Sequence, residues 1–205
     1  MGEIVLYAYK FRSRAERVLW TLCELEMHNR VVRLDFSKRE NQASEFLQLN
    51  PSGTLPVLVH GDAVLTESLA IMEYLNDIST SQCLVPKDTK DRYKFRQVLH
   101  YGLTAVEPYL WVADQITRLG QRYSWPDGAL SEALRQVRHN IAIVWTWVHP
   151  QCYLAGDKFT LADIFFYHLI TWSQQYHFEV PEHVERYLRS LESRRAFPPE
   201  MRGIL

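Results

Sequence analysis

The stretch Asn50-Pro51-Ser52-Gly53-Thr54-Leu55-Pro56-Val57-Leu58 carries the strongest structural signal in the chain, together with Thr66-Glu67-Ser68-Leu69-Ala70-Ile71, which follows it closely. A proline cannot donate a hydrogen bond to a central ladder, so Pro56 is expected at a strand start, a sheet edge or a bulge. Glu67 and Ser68 open an amphipathic run, which predicts a helix beginning at this acid–hydroxyl pair. The two stretches therefore predict a strand entered through a proline, followed by a helix.

The same two stretches also suggest a binding site. A cis Leu55–Pro56 bond would bend the chain and turn the N–H and C=O of Leu55 toward solvent. An extended peptide could pair with those groups as an added strand. The positive N-terminus of the following helix would attract its carboxylate. We therefore predict a site that holds a small peptide by its backbone and its charged end, with an ordinary hairpin and a capped helix as the alternative.

Composition places the chain among globular proteins. A hydrophobic content of 47% in 205 residues can bury a core in one large or two modest domains. The formal net charge of −1 offers no basic field to hold nucleic acid or an anionic membrane. The opening Met-Gly-Glu-Ile-Val-Leu is typical of a strand rather than a signal peptide, and the apolar runs are too short to span a bilayer. These features predict a soluble cytoplasmic protein without nucleic-acid or membrane partners.

The cysteines and histidines give no sign of a disulfide framework or a metal site. Cys23, Cys83 and Cys152 are widely spaced and odd in number, which suits a reducing compartment. The eight histidines lack the spacing of metal ligands, so we expect no metal. Cys23 falls well inside the first predicted helix, where a small core residue is expected rather than a redox nucleophile.

The first part of the chain alternates between strand and helix patterns. Strands are predicted over residues 3–8, 31–34, 56–60 and 63–65, and helices from Ser13, over 40–49 and over 68–77. Gly61-Asp62 is typical of a hairpin turn between the last two strands. The order βαβ, α, ββα predicts a small mixed sheet with helices on its faces.

The second part of the chain is helical in pattern. An aperiodic stretch after Ile78 predicts a linker over 80–88, which separates a domain over 1–79 from an all-helical domain over 89–205. Helices are predicted over 90–119, 129–148, 160–173 and 182–193, with a loop over 123–128. Pro108 should kink or end a turn of the first, and Pro150 follows the second. Thr160 and Asp163 have the spacing of a capping box, whose role is structural.

In order and spacing these motifs resemble those of the cytosolic glutathione transferase family, along nearly the whole chain. The matching segments are Asn-Pro-x-Gly-x-x-Pro-x-Leu from Asn50, Glu-Ser-x-Ala-Ile-x-x-Tyr-Leu from Glu67, and Leu154-Ala155-Gly156-Asp157-Lys158-Phe159-Thr160-Leu161-Ala162-Asp163-Ile164. The resemblance implies a thioredoxin-like N-terminal domain that binds glutathione as a co-substrate. It also implies an all-α domain that supplies the pocket for a hydrophobic electrophile, usually within a homodimer.

Glutathione attacks electrophiles only as its thiolate, and a free thiol with a pKa of about 8.5 is mostly protonated at neutral pH. The protein must therefore stabilise the anion. A hydroxyl donor at the N-terminus of the first helix does so together with the positive helix end. Ser13 is the candidate, because it precedes Arg14-Ala15-Glu16-Arg17-Val18, which resembles the Ser-Arg-x-x-Arg-Val helix start of many bacterial members.

Other assignments of the thiol-activating group remain open. Ser13 and Glu16 have capping-box spacing, which would occupy the hydroxyl with backbone N–H groups. Serine-type relatives place their active serine one residue earlier, at Arg12, so Arg12 or backbone N–H groups could stabilise the sulfur. In tyrosine-type relatives the active tyrosine falls between Tyr7 and Tyr9, and either of these could reach the thiol.

The resemblance also implies the contacts to the rest of glutathione. Leu55, before Pro56, pairs by its backbone with the cysteinyl part, while Glu67 and Ser68 hold the γ-glutamyl amine and carboxylate. The glycyl carboxylate needs a cation, which Lys38 or Arg39 could supply, although a Lys-Arg-Glu run is more often a solvated loop. Thr54 stands where many relatives carry Lys or Gln, and it offers only a hydroxyl.

The pocket for the second substrate is expected on the first long helix of the helical domain. The candidate lining residues are His100, Tyr101, Tyr109 and Trp111. An aromatic stripe at helical spacing is more often core packing, and Trp145 and Trp147 are expected to be such packing residues.

The resulting hypothesis is a glutathione transferase that activates the thiol of glutathione for attack on hydrophobic electrophiles. Glutathione-dependent peroxide reduction or isomerisation uses the same thiolate and is the alternative among enzymes. A non-catalytic binding protein with the same fold is the alternative outside enzymes.

Overall fold

The computed structural model describes residues 2–9, 12–118, 124–147 and 153–201. The expectations for Leu119, Tyr123, Val148, Pro150 and Cys152 lie outside the described residues. The chain forms two compact units, one of residues up to 84 together with 194–201 and one of residues 85–193.

The first unit is built on a four-stranded sheet with the strand order β2-β1-β3-β4. Its strands are β1 (Ile4–Tyr9), β2 (Arg30–Leu34), β3 (Val57–His60) and β4 (Ala63–Thr66). β1 runs parallel to β2 and antiparallel to β3, and β3 pairs with β4 in a hairpin. Because β1 is central, its apolar residues Leu6 and Ala8 are almost completely buried. The predicted βαβ–ββα order and thioredoxin-like sheet are confirmed.

Three helices accompany the sheet: α1 (Ala15–Glu24), α2 (Ser44–Leu49) and α3 (Ser68–Ile78). α1 and α3 pack together, and Val18 of α1 and Ile71 of α3 are fully buried. α1 begins at Ala15 rather than at Ser13. The predicted helix over 40–49 is also wrong in extent, because extended backbone at Ala43 (φ −66°, ψ 144°) separates α2 from a 3₁₀ turn over Glu40–Gln42.

The boundaries of the first unit differ from the predicted 1–79 and 80–88. The N–H of Leu84 donates to Asn76 Oδ1 at 2.7 Å, which ties residues after α3 to that helix. Residues 194–201 also belong to this unit rather than to the helical one. Arg194 contacts Glu24 at 2.7 Å, and the Phe197 ring meets Trp20 edge-on at 4.9 Å. The final segment therefore extends the core of the first unit.

The second unit is all-helical. It contains α4 (Thr89–Tyr101), α5 (Glu107–Thr117), α6 (Ala129–Trp145), α7 (Leu161–Gln174) and α8 (Glu182–Glu192). α7 is its central element, because every residue from Leu161 to Ser173 is buried. The predicted capping box starts α7: Asp163 Oδ2 accepts the N–H of Thr160 at 2.8 Å, and Thr160 Oγ1 accepts the N–H of Ala162 at 3.2 Å.

The predicted continuous helix over 90–119 is interrupted by a π-helical turn over Gly102–Val106. A Cβ at Gly102 would lie 2.6 Å from the Phe165 ring and 3.0 Å from the Phe166 ring, so this turn packs closely on α7. Pro108 lies in the first turn of α5, directly after this π-helical turn. Across the described parts of the chain, no helix combines the length and the apolar character needed to cross a bilayer.

Candidate functional site

The turn before β3 is held by side-chain amides. Asn50 Nδ2 donates to the carbonyl of Thr54 at 2.8 Å, and Asn41 Nδ2 donates to the carbonyl of Gly53 at 2.8 Å. Gly53 has φ +64°, and a Cβ there would lie 2.4 Å from Gln42 Nε2. The sequence interpretation missed Asn41 and Asn50 as supports of this turn. The Asn-Pro-x-Gly spacing was the available signal for Asn50, because asparagine side chains often bond turn backbones.

Leu55 and Pro56 follow this turn, and the peptide bond between them is cis. The antiparallel ladder between β1 and β3 ends with Val57 opposite Tyr7, so Leu55 lies just beyond it. In the part of the chain that the structure describes, no hydrogen bond uses the backbone N–H or C=O of Leu55. The exposed Thr54 hydroxyl lies 2.6 Å from Ser52 Oγ within the turn.

Glu67 and Ser68 start α3 in an unusual backbone conformation. Glu67 precedes the helix with φ 65° and ψ 112°, and its side chain makes no capping bond. A non-glycine residue with such a φ costs about 1–3 kcal/mol, and residues of this kind concentrate at functional sites. The conformation leaves the Glu67 carboxylate exposed, while Ser68 is only 6% exposed and accepts a hydrogen bond from Arg17 Nη1 at 3.3 Å.

Ser13 lies immediately before α1. Its Oγ accepts the N–H of Ala15 at 3.3 Å, and its carbonyl, rather than its hydroxyl, accepts the N–H of Glu16 at 3.0 Å. The serine half of a capping box is therefore absent here. Since an accepted bond uses only a lone pair, the Ser13 hydroxyl keeps its hydrogen for donation to another group.

The start of α1 is rich in positive charge. Arg12, Arg14 and Arg17 are neighbours of Glu16 in sequence. The Glu16 carboxylate lies 3.6 Å from Arg12 Nε, and the charges of Arg33 and Arg17 also act on it. Burial raises the pKa of Glu16, and the charge of Arg12 opposes that rise. With three arginines and one acidic residue over positions 12–17, this end of the helix carries a surplus of positive charge, which favours a thiolate over a thiol.

Tyr7 and Tyr9 lie on the opposite face of β1 from Ala8. Tyr7 packs on Phe46 of α2 at 5.8 Å, and Tyr9 stacks on Phe36 at 4.5 Å. Ala8, at the position that tyrosine-type relatives use, is 1% exposed and contributes to the core. Both tyrosine rings are therefore engaged in aromatic packing. Lys38 and Arg39 are exposed at the end of a 3₁₀ turn over Phe36–Lys38.

The four candidates for the second substrate pocket do not share one environment. Tyr101 donates its hydroxyl hydrogen to Asn140 Oδ1 at 3.0 Å and packs edge-on against Trp147, as expected of a helix-packing residue. Tyr109 is half-buried, whereas His100 and Trp111 are exposed.

Cys23 is half-buried rather than part of the core. It lines an open cleft of about 590 Å³ together with Glu24, Arg194 and others of the first unit. Burial, followed by the charges of Glu200 and Glu24, raises the pKa of the Cys23 thiol, which makes it a weak nucleophile. Among the residues described, no three or more His, Cys, Asp or Glu side chains form a group that could hold a metal ion.

Comparisons with known proteins identify the family of both parts of the chain. Residues 4–77 match the N-terminal domain of glutathione S-transferases, and residues 128–194 match their C-terminal domain. Glutathione S-transferase 1 of Dianthus caryophyllus is 33% identical over 168 residues, which cover 80% of this chain and 74% of the relative. A probable maleylacetoacetate isomerase of Vibrio cholerae is 30% identical over 182 residues, covering 80% and 78% respectively.

The fold likeness extends to solved structures. A glutathione transferase of Phanerochaete chrysosporium, solved in complex with oxidized glutathione, superposes with a TM-score of 0.81 at 22% identity. The match covers 96% of this chain and 93% of that one. The two domain matches, the related sequences and the shared fold lead to one conclusion: this chain belongs to the glutathione S-transferase family.

Proposed function

We propose that the chain binds glutathione and presents its thiolate to a hydrophobic electrophile. The observation that carries the proposal is the start of α3. There the left-handed backbone of Glu67 exposes a carboxylate next to the Ser68 hydroxyl and the first N–H groups of the helix. This combination offers an acceptor for an ammonium group and donors for a carboxylate, the two charged groups of a γ-glutamyl end.

The other proposed contacts follow along the extended peptide. Leu55 lies beyond the last ladder pair of β3, so its backbone can pair with the cysteinyl unit as one more strand would. Lys38 is the proposed cation for the glycyl carboxylate, with Arg39 as the alternative, and Thr54 adds a hydroxyl at the turn. Ser13 is the proposed donor to sulfur, because its hydrogen is available and the positive start of α1 favours the anion.

The second substrate is proposed to contact exposed aromatic residues of the helical unit. His100 and Trp111 are accessible for such contacts, and the half-buried Tyr101 and Tyr109 complete the proposed set. We also propose a homodimer as the working form.

Isomerisation is a second candidate function, favoured by one finding. The Vibrio cholerae relative, at 30% identity, is described as a probable maleylacetoacetate isomerase. Such a reaction would use the same thiolate, which adds to a double bond, allows rotation and leaves again. The proposed glutathione site therefore serves both candidate reactions.

Three measurements on the purified chain test these proposals. Retention on immobilised glutathione tests binding, with the matched variants Glu67→Ala and Ser68→Ala expected to elute early. Turnover of a chloronitroaromatic substrate tests conjugation, and turnover of maleylacetoacetate tests isomerisation. Binding with turnover of neither substrate would favour a non-catalytic member of the family, and failure to bind would refute the proposed site.

A further inference from the structure

We propose that Arg17 is a positioning residue for the γ-glutamyl carboxylate of glutathione, acting through the hydroxyl of Ser68. The inference rests on the proposed function, since it assigns a task within the same site. It concerns a side chain that does not itself reach the ligand.

The geometry places Arg17 directly behind the start of α3. Arg17 is in the first turn of α1 and is only 1% exposed. Its Nη1 donates to Ser68 Oγ at 3.3 Å. Ser68 is the first residue of α3, which packs against α1. The buried guanidinium therefore contacts the start of α3 from the protein interior, whereas the Glu67 side chain at the same helix start is exposed to solvent.

The chemistry of the two groups fixes the direction of the hydrogen bond. A guanidinium has only donors and stays charged at any ordinary pH. Ser68 Oγ must therefore accept from Arg17, which leaves the hydroxyl hydrogen free to point away from it, toward a ligand. A charged donor also polarises the hydroxyl and strengthens the bond that it donates in turn. Arg17 thus makes Ser68 a directed donor instead of a freely rotating one.

The charge of Arg17 adds a second contribution. A buried cation interacts more strongly with a nearby anion than an exposed one does, because less water screens it. Together with the N-terminus of α3, Arg17 provides positive potential beneath the place proposed for the γ-glutamyl carboxylate. Lysine would keep the charge, but it lacks the planar fork that reaches Ser68 at this position.

The experiment compares two ligands across matched variants. The dissociation constants of glutathione and of 4-aminobutanoyl-cysteinyl-glycine, which lacks the γ-glutamyl α-carboxylate, are measured by calorimetry. The proteins are the unsubstituted chain, Arg17→Met, Arg17→Lys, Ser68→Ala and Thr21→Val. Thr21 is the control for a weakened α1, because it is buried and its hydroxyl bonds the carbonyl of Arg17 without touching Ser68.

We expect Arg17→Met to weaken glutathione binding about 10- to 100-fold, with little effect on the analogue. Arg17→Lys should give a smaller loss, and Thr21→Val should affect neither ligand. Adding Arg17→Met to Ser68→Ala should cost less than it does alone. Equal losses for the two ligands, or no loss, would refute the role of Arg17 while leaving the glutathione site intact. If Arg17→Met does not fold, the same comparison is made with Arg17→Lys. Absence of glutathione binding by the unsubstituted chain would instead overturn the proposed function itself.

Discussion

A single hydroxyl at the start of a helix can change the ionisation of a bound thiol, because it donates a stronger hydrogen bond to the thiolate than to the neutral thiol. Ser13 has that hydrogen available, since its oxygen accepts from Ala15. Its neighbours Arg12, Arg14 and Arg17 add positive charge. The sequence predicts Ser13 as the donor because Arg14-Ala15-Glu16-Arg17-Val18 follows it. It could not foresee that Arg17 is buried, because an arginine in a helical pattern normally indicates a solvent-exposed position.

Ser13→Ala should move the pKa of the bound glutathione thiol upward, toward its free value of about 8.5. The hydroxyl lowers that pKa by favouring the thiolate, so its loss should reduce kcat/KM at neutral pH about tenfold or more and restore part of the rate as pH rises. Ultraviolet titration of the bound thiolate and a pH profile of kcat/KM measure the change. Tyr7→Phe and Tyr9→Phe are the matched controls. A shift in either of these variants, without one in Ser13→Ala, would transfer the role to tyrosine.

Glu67→Gly should separate stability from binding. Glycine adopts φ 65° without a steric penalty, so the variant should unfold at a higher temperature, by an amount equivalent to about 1 kcal/mol. It should bind glutathione more weakly, because the carboxylate is gone. Glu26→Gly is the control, since Glu26 also has positive φ (53°) but follows the far end of α1. Thermal unfolding measures the stability and calorimetry measures glutathione binding. A Glu67→Gly variant that is less stable and binds glutathione normally would contradict this interpretation.

At the scale of the elements, apolar periodicity predicted most helices and strands, because each buries one face or is wholly buried. It did not predict the π-helical turn over Gly102–Val106. One extra residue in a helix shifts the pattern without breaking it, so the residues on either side still repeat at helical spacing. Pro108 was the obvious irregularity in the sequence, and it lies in the first turn of α5, just after the π-helical turn. Gly102 marks the turn, but its role is visible only in the structure, where it allows the rings of Phe165 and Phe166 to pack closely against the backbone.

Gly102→Ala should destabilise the helical unit by about 1–3 kcal/mol, because the added methyl group forces the Phe165 and Phe166 rings to move. Urea denaturation followed by tryptophan fluorescence measures the loss. Leu103→Ala, at a neighbouring residue that is 37% exposed, is the control and should change stability by less than about 0.5 kcal/mol. Similar effects in the two variants would argue against close packing at Gly102.

At the scale of the whole molecule, residues 194–201 were the least predictable part of the chain. Arg194 and Arg195 suggest a solvated tail, and the sequence placed them with the helices before them. Their position depends on a partner far away in sequence. Glu24, whose side chain is 3% exposed, accepts from Arg194 and also from Trp20 Nε1 at 3.0 Å. An ion pair between residues 170 positions apart leaves no pattern in the sequence around either residue.

Arg194→Met should destabilise the first unit by about 3 kcal/mol, because it leaves the Glu24 carboxylate buried without its cation. Glu24→Gln combined with Arg194→Met should recover part of that loss, since the uncompensated charge is removed. Chemical denaturation of the single and double variants provides the comparison. Glu185→Gln, which breaks an exposed pair with Arg189 on α8, is the control and should have almost no effect. Additive losses in the double variant would contradict an electrostatic cause.

The placement of residues 194–201 also has a consequence for how the chain is made. A ribosome releases α1 long before it releases Arg194 and Phe197, and the Arg194–Glu24 contact spans 170 positions in sequence. During that interval the Trp20 surface that Phe197 later covers is exposed, and contacts of such long range form late. All of residues 85–193, which form the helical unit, are therefore synthesised before the unit that holds Ser13 and Glu67 can be completed. A chaperone that recognises uncovered aromatic side chains would find its target on α1.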